Sequence, residues 1–456
     1  MAARGTQPPG GPAREGAAGL PSAREVEALA RAHFFQCVGT YYDEPLVLAR
    51  GRGSYVWDVE GRQYLDFFGG VLVVAVGHAH PEVAEAIAEQ ARTLIHTSTL
   101  YRNLPATELA AALARLAPGR LTRVFFTNSG TEADETAVLL AKARTGRQEV
   151  VALRHGYSGR GGLAQALTGQ APWRGVPAQV PGVVFAHSPY CYRCELGLTY
   201  PACDLKCARD IETLIQTATS GEIAAFIAEP VQGIGGFVTP PREYFQVAVE
   251  IVRRYGGLFI ADEVQTGFGR TGTYWWGIQH YGVEPDVMTM AKGIASGLPV
   301  GATVASDEVA GAWRALSFST FGGNPVSAAA ALATIRVLER ADAPARAAAL
   351  GARLRERLAA LQAKYPQIGD VRGMGLMQAL ELIDPASGPA KAPAPGLARR
   401  VMEAAKARGL LIGRAGLHGN VLRIAPSLLV EATEIDEAAR ILDEAFAAAA
   451  AAPGPR

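Results

Sequence analysis

The stretch RVFFTNSGTEADETAVLLAKARTGRQEVVAL, from Arg123 to Leu153, decides the fold class. It begins with a short apolar run, continues as a helical pattern that ends at Gly146, and returns as a second apolar run. Two such runs joined by a helix are typical of a strand, helix, strand crossover in a sheet that is buried on both faces. We therefore predict an α/β protein with a mostly parallel sheet and crossover helices.

Further apolar runs support this sheet and suggest a second domain. The additional predicted strands lie at 182–186, 223–229, 257–263, 286–290 and 301–306. The alternating stretch SYVWDVEGRQYLDF, around Glu60 and Gly61, predicts a hairpin. We predict a disordered tail (1–30), a large domain (76–335), a smaller α+β domain built from both chain ends (31–75 and 336–446), and a second disordered tail (447–456).

Composition narrows the classes of ligand. The 456 residues are 49% hydrophobic, and 44 basic against 43 acidic residues give a net charge of +1. A chain without a strong field is not expected to bind nucleic acid or an anionic membrane, so small molecules are the expected ligands. Because no apolar run approaches the roughly 20 residues of a spanning helix, we predict a cytoplasmic protein, with the mitochondrial matrix as the alternative.

Polar residues follow several predicted strands at the point where each strand ends. Glu229, Asp262 and Lys292 occupy such positions, and the carboxyl ends of parallel strands meet in one crevice. Taken alone, Lys292 could simply extend its ammonium group to solvent. A lysine, an aspartate and an anion site together are what pyridoxal phosphate requires, because the lysine holds the cofactor and the acid pairs with its ring nitrogen.

The helix start NSGTE offers the anion site. Ser129 and Thr131 supply hydroxyl groups there, and the unpaired N–H groups of a first helical turn attract a phosphate. The same residues are also ordinary helix-capping residues, and on this stretch alone capping is the simpler interpretation.

Four segments together carry a resemblance to a known family: LFIADEVQTGFGRTG (258–272), AKGIASGLPVGA (291–302), TFGGNP (320–325) and NSGTEA (128–133). They resemble the class III pyridoxal-phosphate aminotransferases, and the resemblance extends from about residue 34 to residue 445. It implies fold type I, transamination between an amino acid and a 2-oxo acid, and a homodimer. Within the family, the chain is most similar to the branch that uses alanine and glyoxylate.

The resemblance also assigns roles to individual residues. Lys292 would hold the cofactor covalently and move a proton, while Asp262 would pair with the ring nitrogen. Glu229 would lie beside the cofactor, although a buried glutamate could equally be a structural hydrogen-bond partner. The other implied cofactor contacts are Ser129, Gly130, Thr131, Tyr157, Val264, Gln265 and Thr320, and the family contributes the last of these from the neighbouring subunit.

One arginine and one isoleucine bear on the substrate. Relatives that act on terminal amines carry a glutamate at the position of Ile234 in EPVQGIGG, where it is thought to pair with an arginine. Ile234 would leave the matching Arg423 free to bind a substrate carboxylate. We therefore predict alanine, β-alanine or a similar donor, with glyoxylate or pyruvate as acceptor. The alternatives are a terminal-amine aminotransferase of the 4-aminobutyrate or ornithine type, a phospho-lyase and a racemase.

The segment CYRCELGLTYPACDLKC concentrates four cysteines: Cys191, Cys194, Cys203 and Cys207. Their spacing approximates that of a structural zinc site, with scattered buried thiols as the alternative. A non-catalytic metal-binding protein is accordingly the competing function from a different class. The hypothesis of a nicotinamide oxidoreductase depends only on GIGG (233–236), which does not begin a convincing helix.

Overall fold

The computed structural model describes residues 20–176 and 180–451. Its N-terminal part consists of helix α1 (Ala23–His33) and the strands β1 (Leu48–Arg52), β2 (Tyr55–Asp58) and β3 (Gln63–Asp66). Strands β2 and β3 pair antiparallel, and Gly61 in the turn between them has a φ of 83°, which favours glycine. The predicted hairpin is confirmed.

The middle of the chain alternates helices and strands. Its elements are α2 (Gly69–Leu72), α3 (Pro81–Thr93), α4 (Leu104–Leu116), β4 (Arg123–Thr127), α5 (Gly130–Thr145), β5 (Val150–Leu153), α6 (Gly162–Leu167), β6 (Val183–Ala186), α7 (Lys206–Ala218), β7 (Ala225–Ala228), α8 (Tyr244–Arg254), β8 (Leu258–Asp262), β9 (Val287–Met290), β10 (Gly301–Ala305) and α9 (Asp307–Ala310). Each predicted strand in this region is present.

The seven strands β4 to β10 form one sheet in the order β4-β10-β9-β8-β7-β5-β6. The neighbours from β9 to β6 are parallel, and β10 is antiparallel to both of its neighbours. Only the short segment 291–300 joins β9 to β10, which is too short for a crossover to a parallel strand. The sheet is therefore mostly parallel, as predicted, with β10 as the exception.

Helix α5 lies across this sheet. It starts beyond the carboxyl end of β4 and contacts β10, β9, β8 and β7 before the chain enters β5. Its buried residues are Ala133, Asp134, Ala137, Val138, Leu140 and Ala141. The helix N-terminus thus comes close to the carboxyl ends of the central strands.

The C-terminal part contains α10 (Pro325–Arg340), α11 (Ala343–Lys364), β11 (Ile368–Met374), β12 (Met377–Leu382), α12 (Pro395–Ala407), β13 (Leu410–Leu411), β14 (Gly413–Ala415), β15 (Val421–Ile424) and α13 (Ala432–Ala451). Strand β13 pairs with β3, so the two chain ends share a sheet, and a further sheet has the order β11-β12-β15-β14. The chain is an α/β protein of two domains. The predicted domain boundaries stay a prediction. One of them, residue 336, falls inside α10.

The predicted tails need correction where the structure describes them. Residues 1–19 and 452–456 lie outside the described residues, whereas 23–30 belong to α1 and 447–451 to α13. The side chain of Ser22 accepts a hydrogen bond from the Glu25 N–H, and Glu25 bonds back to the Ser22 N–H. This capping box stabilises the start of α1. No helix in the described ranges is long and apolar enough to cross a membrane. The cytoplasmic location stays a prediction.

Candidate active site

Three of the predicted residues lie at the carboxyl ends of neighbouring strands. Glu229 directly follows β7, Asp262 is the last residue of β8, and Lys292 follows β9 by two residues. Since β7, β8 and β9 are parallel neighbours, the three side chains lie at one edge of the sheet. The structure therefore brings them together, as predicted.

Lys292 lies in an unusual local environment for a lysine. Its φ of 46° is left-handed, a strained conformation for a residue with a side chain. Burial lowers the pKa of Lys292, while Asp262 and Glu229 oppose this shift and Arg423 adds to it. A lowered pKa increases the fraction of neutral amine, which is the nucleophilic form. This environment does not match a lysine that simply extends to solvent.

Asp262 is almost fully buried. Its carboxylate accepts a hydrogen bond from the Val264 N–H at 3.0 Å. Burial raises its pKa, while the Val264 N–H, Lys292 and a hydrogen bond with Asp134 all favour the ionised form. An aspartate held in this way can pair with a cationic nitrogen.

Glu229 fastens two loops at the edge of the sheet. It accepts hydrogen bonds from the Tyr157 N–H at 3.1 Å and the Gly233 N–H at 2.8 Å. Burial, followed by the neighbouring Asp262, raises the pKa of Glu229 to about 8. These bonds match the structural role considered for this residue, and they hold it beside Asp262.

The start of helix α5 lies against the same site. The Ser129 hydroxyl accepts from the Glu132 N–H at 3.2 Å, so the capping interpretation is correct for Ser129. A Cβ atom on Gly130 would lie 3.1 Å from both methyl groups of Val264, so glycine allows the helix start to approach that side chain closely. The Thr131 hydroxyl accepts from the Arg160 N–H at 3.4 Å.

A cavity beside these residues is lined by Tyr157, Ser158, Glu229, Gln232 and Asp262, among others. Gln265 follows Asp262 by three residues and is buried. Its Oε1 atom has no hydrogen-bond partner among the described residues. A buried unpaired amide oxygen is costly unless a ligand contacts it. The acid, the lysine, the helix N-terminus and this oxygen together fit pyridoxal phosphate.

Thr320 lies apart from this group. It is exposed, on a loop that also exposes Leu316, Phe318 and Phe321. Within the part of the chain that the structure describes, no hydrogen bond joins Thr320 to the other predicted cofactor residues.

Arg423 is fully buried on β15. Its guanidinium donates to the Tyr41 hydroxyl at 3.0 Å and more weakly to the carbonyl oxygens of Gly233 and Arg414, each at 3.4 Å. Its Nε atom has no partner, and no carboxylate of the described residues lies within salt-bridge distance of it. Burial lowers its pKa, in the direction expected for a cation without a paired anion.

The aromatic rings around Arg423 complete this part of the site. The guanidinium carbon lies 4.8 Å from the ring centroid of Phe68 and 5.6 Å from that of Phe237. The sequence reasoning did not single out Tyr41, Phe68 or Phe237, because nothing in the spacing of these three residues connects them with Arg423. It also missed Asp134, whose buried position between alanines on a helical period was the available signal.

The predicted zinc site is not supported. Cys191, Cys194, Cys203 and Cys207 line one small cavity, but within residues 20–176 and 180–451 no group of three or more His, Cys, Asp or Glu side chains could hold a metal ion. Burial raises the pKa of Cys191 and raises that of Cys207 to about 12.

The sequence matches the family described as Aminotransferase class-III over residues 39–446. The chain belongs to the class III aminotransferases. It is 43% identical over 403 residues to the alanine–glyoxylate aminotransferase 2 homolog 2, mitochondrial, of Arabidopsis thaliana, which covers 88% of this chain and 83% of the relative. It is 40% identical over 408 residues to an acetylornithine aminotransferase of Methanothermobacter thermautotrophicus, covering 88% and 94%.

Among solved structures, the aminotransferase resembles an amine transaminase from an uncultivated Pseudomonas species in its PLP-bound form. The TM-score is 0.85 at 34% identity, and the match covers 91% of this chain and 98% of that chain. Class III aminotransferases use pyridoxal phosphate. The protein is therefore a PLP-dependent transaminase, and the resemblance to this family predicted from the sequence is confirmed.

Proposed function

We propose that this aminotransferase transfers the amino group of a small amino acid, such as alanine or β-alanine, to a short 2-oxo acid, such as glyoxylate or pyruvate. The observation that carries the proposal is the buried Arg423, which has no carboxylate partner among the described residues. A buried guanidinium without an anion is costly unless a ligand neutralises it. Both substrates carry a carboxylate, so one arginine can serve both half-reactions.

The position of Ile234 supports a short substrate. The carbonyl oxygen of Gly233, next to Ile234 in the chain, accepts from Arg423 at 3.4 Å, and Ile234 itself is buried. An isoleucine cannot neutralise the guanidinium when no carboxylate is bound. A long donor that reacts through its far amine would bring a cationic group close to an unpaired cation, which is unfavourable in a desolvated site.

The cofactor-binding residues of the proposal are those that the resemblance to the family implies. When bound, pyridoxal phosphate supplies an electron-accepting ring joined to the substrate amine. In our proposal Asp262 would keep the ring nitrogen protonated, Val264 and Tyr157 would hold the ring, and Gln265 would bond its hydroxyl group. Ser129, Gly130 and Thr131 bind the phosphate at the helix start.

Lys292 carries the reactive amine in this proposal. Its Nζ atom would hold the cofactor, and the free amine would take the proton from the substrate Cα and return it to the cofactor side of the substrate. The lowered pKa of Lys292 supports this role, because only the neutral amine can accept a proton. Glu229 holds the loops that carry Tyr157 and Gly233 in place beside it.

We further propose that the protein is a homodimer whose partner subunit covers an exposed apolar surface. This apolar surface comprises Leu94, Ile95, Leu100, Tyr101, Leu104, Leu316, Phe318 and Phe321, each at least 43% exposed. The two segments that form it are joined, because Asn324 donates to the Ile95 carbonyl oxygen at 2.8 Å and the rings of His96 and Phe321 lie 5.3 Å apart. Thr320 is exposed between Phe318 and Phe321 of this surface, which supports its proposed role in the partner subunit's site.

The acetylornithine aminotransferase relative favours a competing terminal-amine function, and a racemase would share the same cofactor. The experiment is a comparison of kcat/KM for alanine, β-alanine, 4-aminobutyrate, ornithine and N-acetylornithine with glyoxylate as common acceptor. We expect alanine or β-alanine to be preferred, with equal amounts of glycine and keto product. A clear preference for 4-aminobutyrate, ornithine or N-acetylornithine, or D-alanine formed without an oxo product, would contradict the proposal.

Two measurements test the cofactor and dimer assignments. Borohydride reduction followed by peptide mapping should place the cofactor on Lys292, and Lys292→Ala should abolish both the label and turnover. Sedimentation velocity should give a dimer. Mixed dimers of Lys292→Ala and Thr320→Ala subunits should bind the cofactor more tightly than Thr320→Ala dimers, because one site of each is then intact.

A further inference from the structure

A second buried carboxyl group lies behind Asp262. Asp134, in the second turn of α5, is only 1% exposed and its buried helical neighbours include Ala133, Ala137 and Val138. No lysine or arginine of the described residues forms a salt bridge with it. Buried carboxylates are normally paired with a cation, so this one needs another explanation.

The sheet beneath α5 presents a row of polar side chains to this helix. Asp262 on β8, Thr289 on β9 and Thr303 on β10 are successive register partners. Thr303 Oγ1 donates to the Ala133 carbonyl oxygen at 2.8 Å, and Thr289 Oγ1 donates to Asp134 Oδ1 at 2.6 Å. Asp262, the third member of the row, is the register partner of Thr289, which places its carboxyl group beside the Asp134 carboxyl group that Thr289 contacts.

Two carboxyl groups can form a hydrogen bond only if one of them carries the proton. Asp262 accepts from the Val264 N–H and lies near Lys292, and both contacts favour its ionised form. Asp134 receives only the Thr289 hydroxyl, while burial and the charge of Asp262 raise its pKa well above the usual range. These contacts favour an arrangement with the proton on Asp134 and with Asp262 as the acceptor.

We propose that Asp134 is a positioning residue, a neutral acid that donates a hydrogen bond to Asp262 and so keeps the proton of the bound cofactor on its ring nitrogen. The proposal rests on the proposed pairing of Asp262 with that nitrogen. A donor that bonds a carboxylate makes it less basic, so Asp262 does not take the ring proton for itself. Asp134 acts through Asp262 and does not touch the substrate.

The proposal predicts different results for two substitutions of similar size. Asp134→Asn keeps a donor toward Asp262 and an acceptor for Thr289, whereas Asp134→Leu keeps neither. The readout is the ¹⁵N NMR shift of cofactor labelled at the ring nitrogen, which reports its protonation directly. We expect a protonated nitrogen in wild type and Asp134→Asn at neutral pH. In Asp134→Leu we expect a shift toward the unprotonated value and a kcat about tenfold or more lower.

The titration of Asp134 gives a second test. Its pKa is raised, so its proton is present at lower pH and is lost as pH rises through the folded-state value. The ring nitrogen of wild type should therefore lose its proton in an alkaline transition that Asp134→Asn lacks. Thr289→Val should move this transition to higher pH, because the Thr289 hydroxyl stabilises the ionised Asp134. This test does not need Asp134→Leu to fold.

The other titratable groups that face Asp134 are Asp262 on β8, Glu229 after β7 and Lys292 after β9. Glu229→Gln is the matched control, because Glu229 also has a raised pKa. If Glu229→Gln removes the transition and Asp134→Asn retains it, the proposal is overturned. The proposal is also overturned if the ring-nitrogen ¹⁵N shift of Asp134→Leu equals that of wild type. If Asp262→Asn leaves the ring nitrogen protonated, the proposed role of Asp262 fails instead, and the two failures are distinct.

Discussion

Two buried arginines of the sheet β11-β12-β15-β14 differ in their partners. Arg372 on β11 donates to Glu381 at 2.6 Å, to Asp370 at 2.8 Å and to the carbonyl oxygen of Gly236 at 2.8 Å. It also donates to the Tyr190 hydroxyl at 3.0 Å, and Arg193 bonds Glu381 from the other side. Tyr190, Glu381 and Asp370 raise the pKa of Arg372 despite its burial.

Arg423, on β15 of the same sheet, contacts the same loop through the Gly233 carbonyl oxygen but has no carboxylate beside it among the described residues. Burial lowers its pKa. The opposite shifts of two equally charged side chains show that burial does not by itself indicate a binding role. The anions around Arg372 stabilise the fold, whereas Arg423 keeps an unpaired Nε donor that a substrate carboxylate could accept.

Arg372→Met should give the largest effect, on stability. It leaves the fully buried Glu381 with Arg193 as its remaining cation and should lower the free energy of unfolding by about 3 to 5 kcal/mol. Arg423→Met is the matched control, and should change that free energy by less than about 1 kcal/mol because no anion loses its partner. Urea denaturation of both cofactor-free variants measures this. Equal losses would show that the two arginines have the same structural role.

Arg423→Lys should give the next largest effect, on catalysis and not on stability. An ammonium group cannot make the two parallel hydrogen bonds of a guanidinium to a carboxylate. The fall in kcat/KM for alanine and for glyoxylate should therefore each correspond to a loss of about 2 to 3 kcal/mol in transition-state stabilisation. An amine donor without a carboxylate, such as isopropylamine, should be much less affected in its own half-reaction. A similar loss for all three substrates would mean that Arg423 does not bind the carboxylate.

The fold was largely predictable where short apolar runs and helical periodicity decide it. The stretch from Arg123 to Leu153 predicted β4, α5 and β5 correctly, because β5 and one face of the helix are buried and β4 is half-buried at the sheet edge. Strand direction was not predictable from such runs. The antiparallel direction of β10 depends on the short connection that precedes it. Helix α1 was missed although its capping signal, Ser22 followed by Glu25, is present in the sequence.

The site was predictable to the extent that it lies at strand ends. Asp262 and Lys292 end or follow parallel strands, and such positions meet at one edge of a sheet. The contact of Asp134 with Asp262 depends on how α5 lies over β8 and β9, and spacing does not determine that angle. The four cysteines show the converse, since their ligand-like spacing, which ends with Cys207 in α7, does not form a group that could hold a metal ion.

Ile234→Glu should make Arg423 resemble Arg372 by giving it an anion. The new carboxylate would compete with the substrate carboxylate, so kcat/KM for alanine should fall about tenfold, or roughly 1.4 kcal/mol. The ratio of ornithine to alanine turnover should rise, because the paired arginine no longer repels the second ammonium group of ornithine. Ile234→Gln, of similar size but uncharged, is the control. If Glu and Gln have the same effect, size and not charge explains the loss.

Tyr41→Phe should give the smallest effect and concerns what orients Arg423. The Tyr41 hydroxyl accepts from Arg423 Nη2 at 3.0 Å, and its ring packs on Phe68 with centroids 5.6 Å apart. The substitution keeps the ring and removes the only side-chain hydrogen-bond acceptor of the guanidinium among the described residues. One such bond contributes about 1 kcal/mol, so KM for alanine and glyoxylate should rise about fivefold while kcat stays within about twofold.

Tyr42→Phe is the matched control for this last substitution, because Tyr42 is the adjacent residue and has no hydrogen bond to Arg423. It should leave both KM values unchanged. Unchanged KM values in Tyr41→Phe as well would mean that the two aromatic rings and the backbone carbonyl oxygens suffice to orient Arg423. A fall in kcat at constant KM would instead assign Tyr41 to the chemical step. The expected rise in KM alone places Tyr41 in the support of the carboxylate site, which Arg372 does not need because its own anions hold it in place.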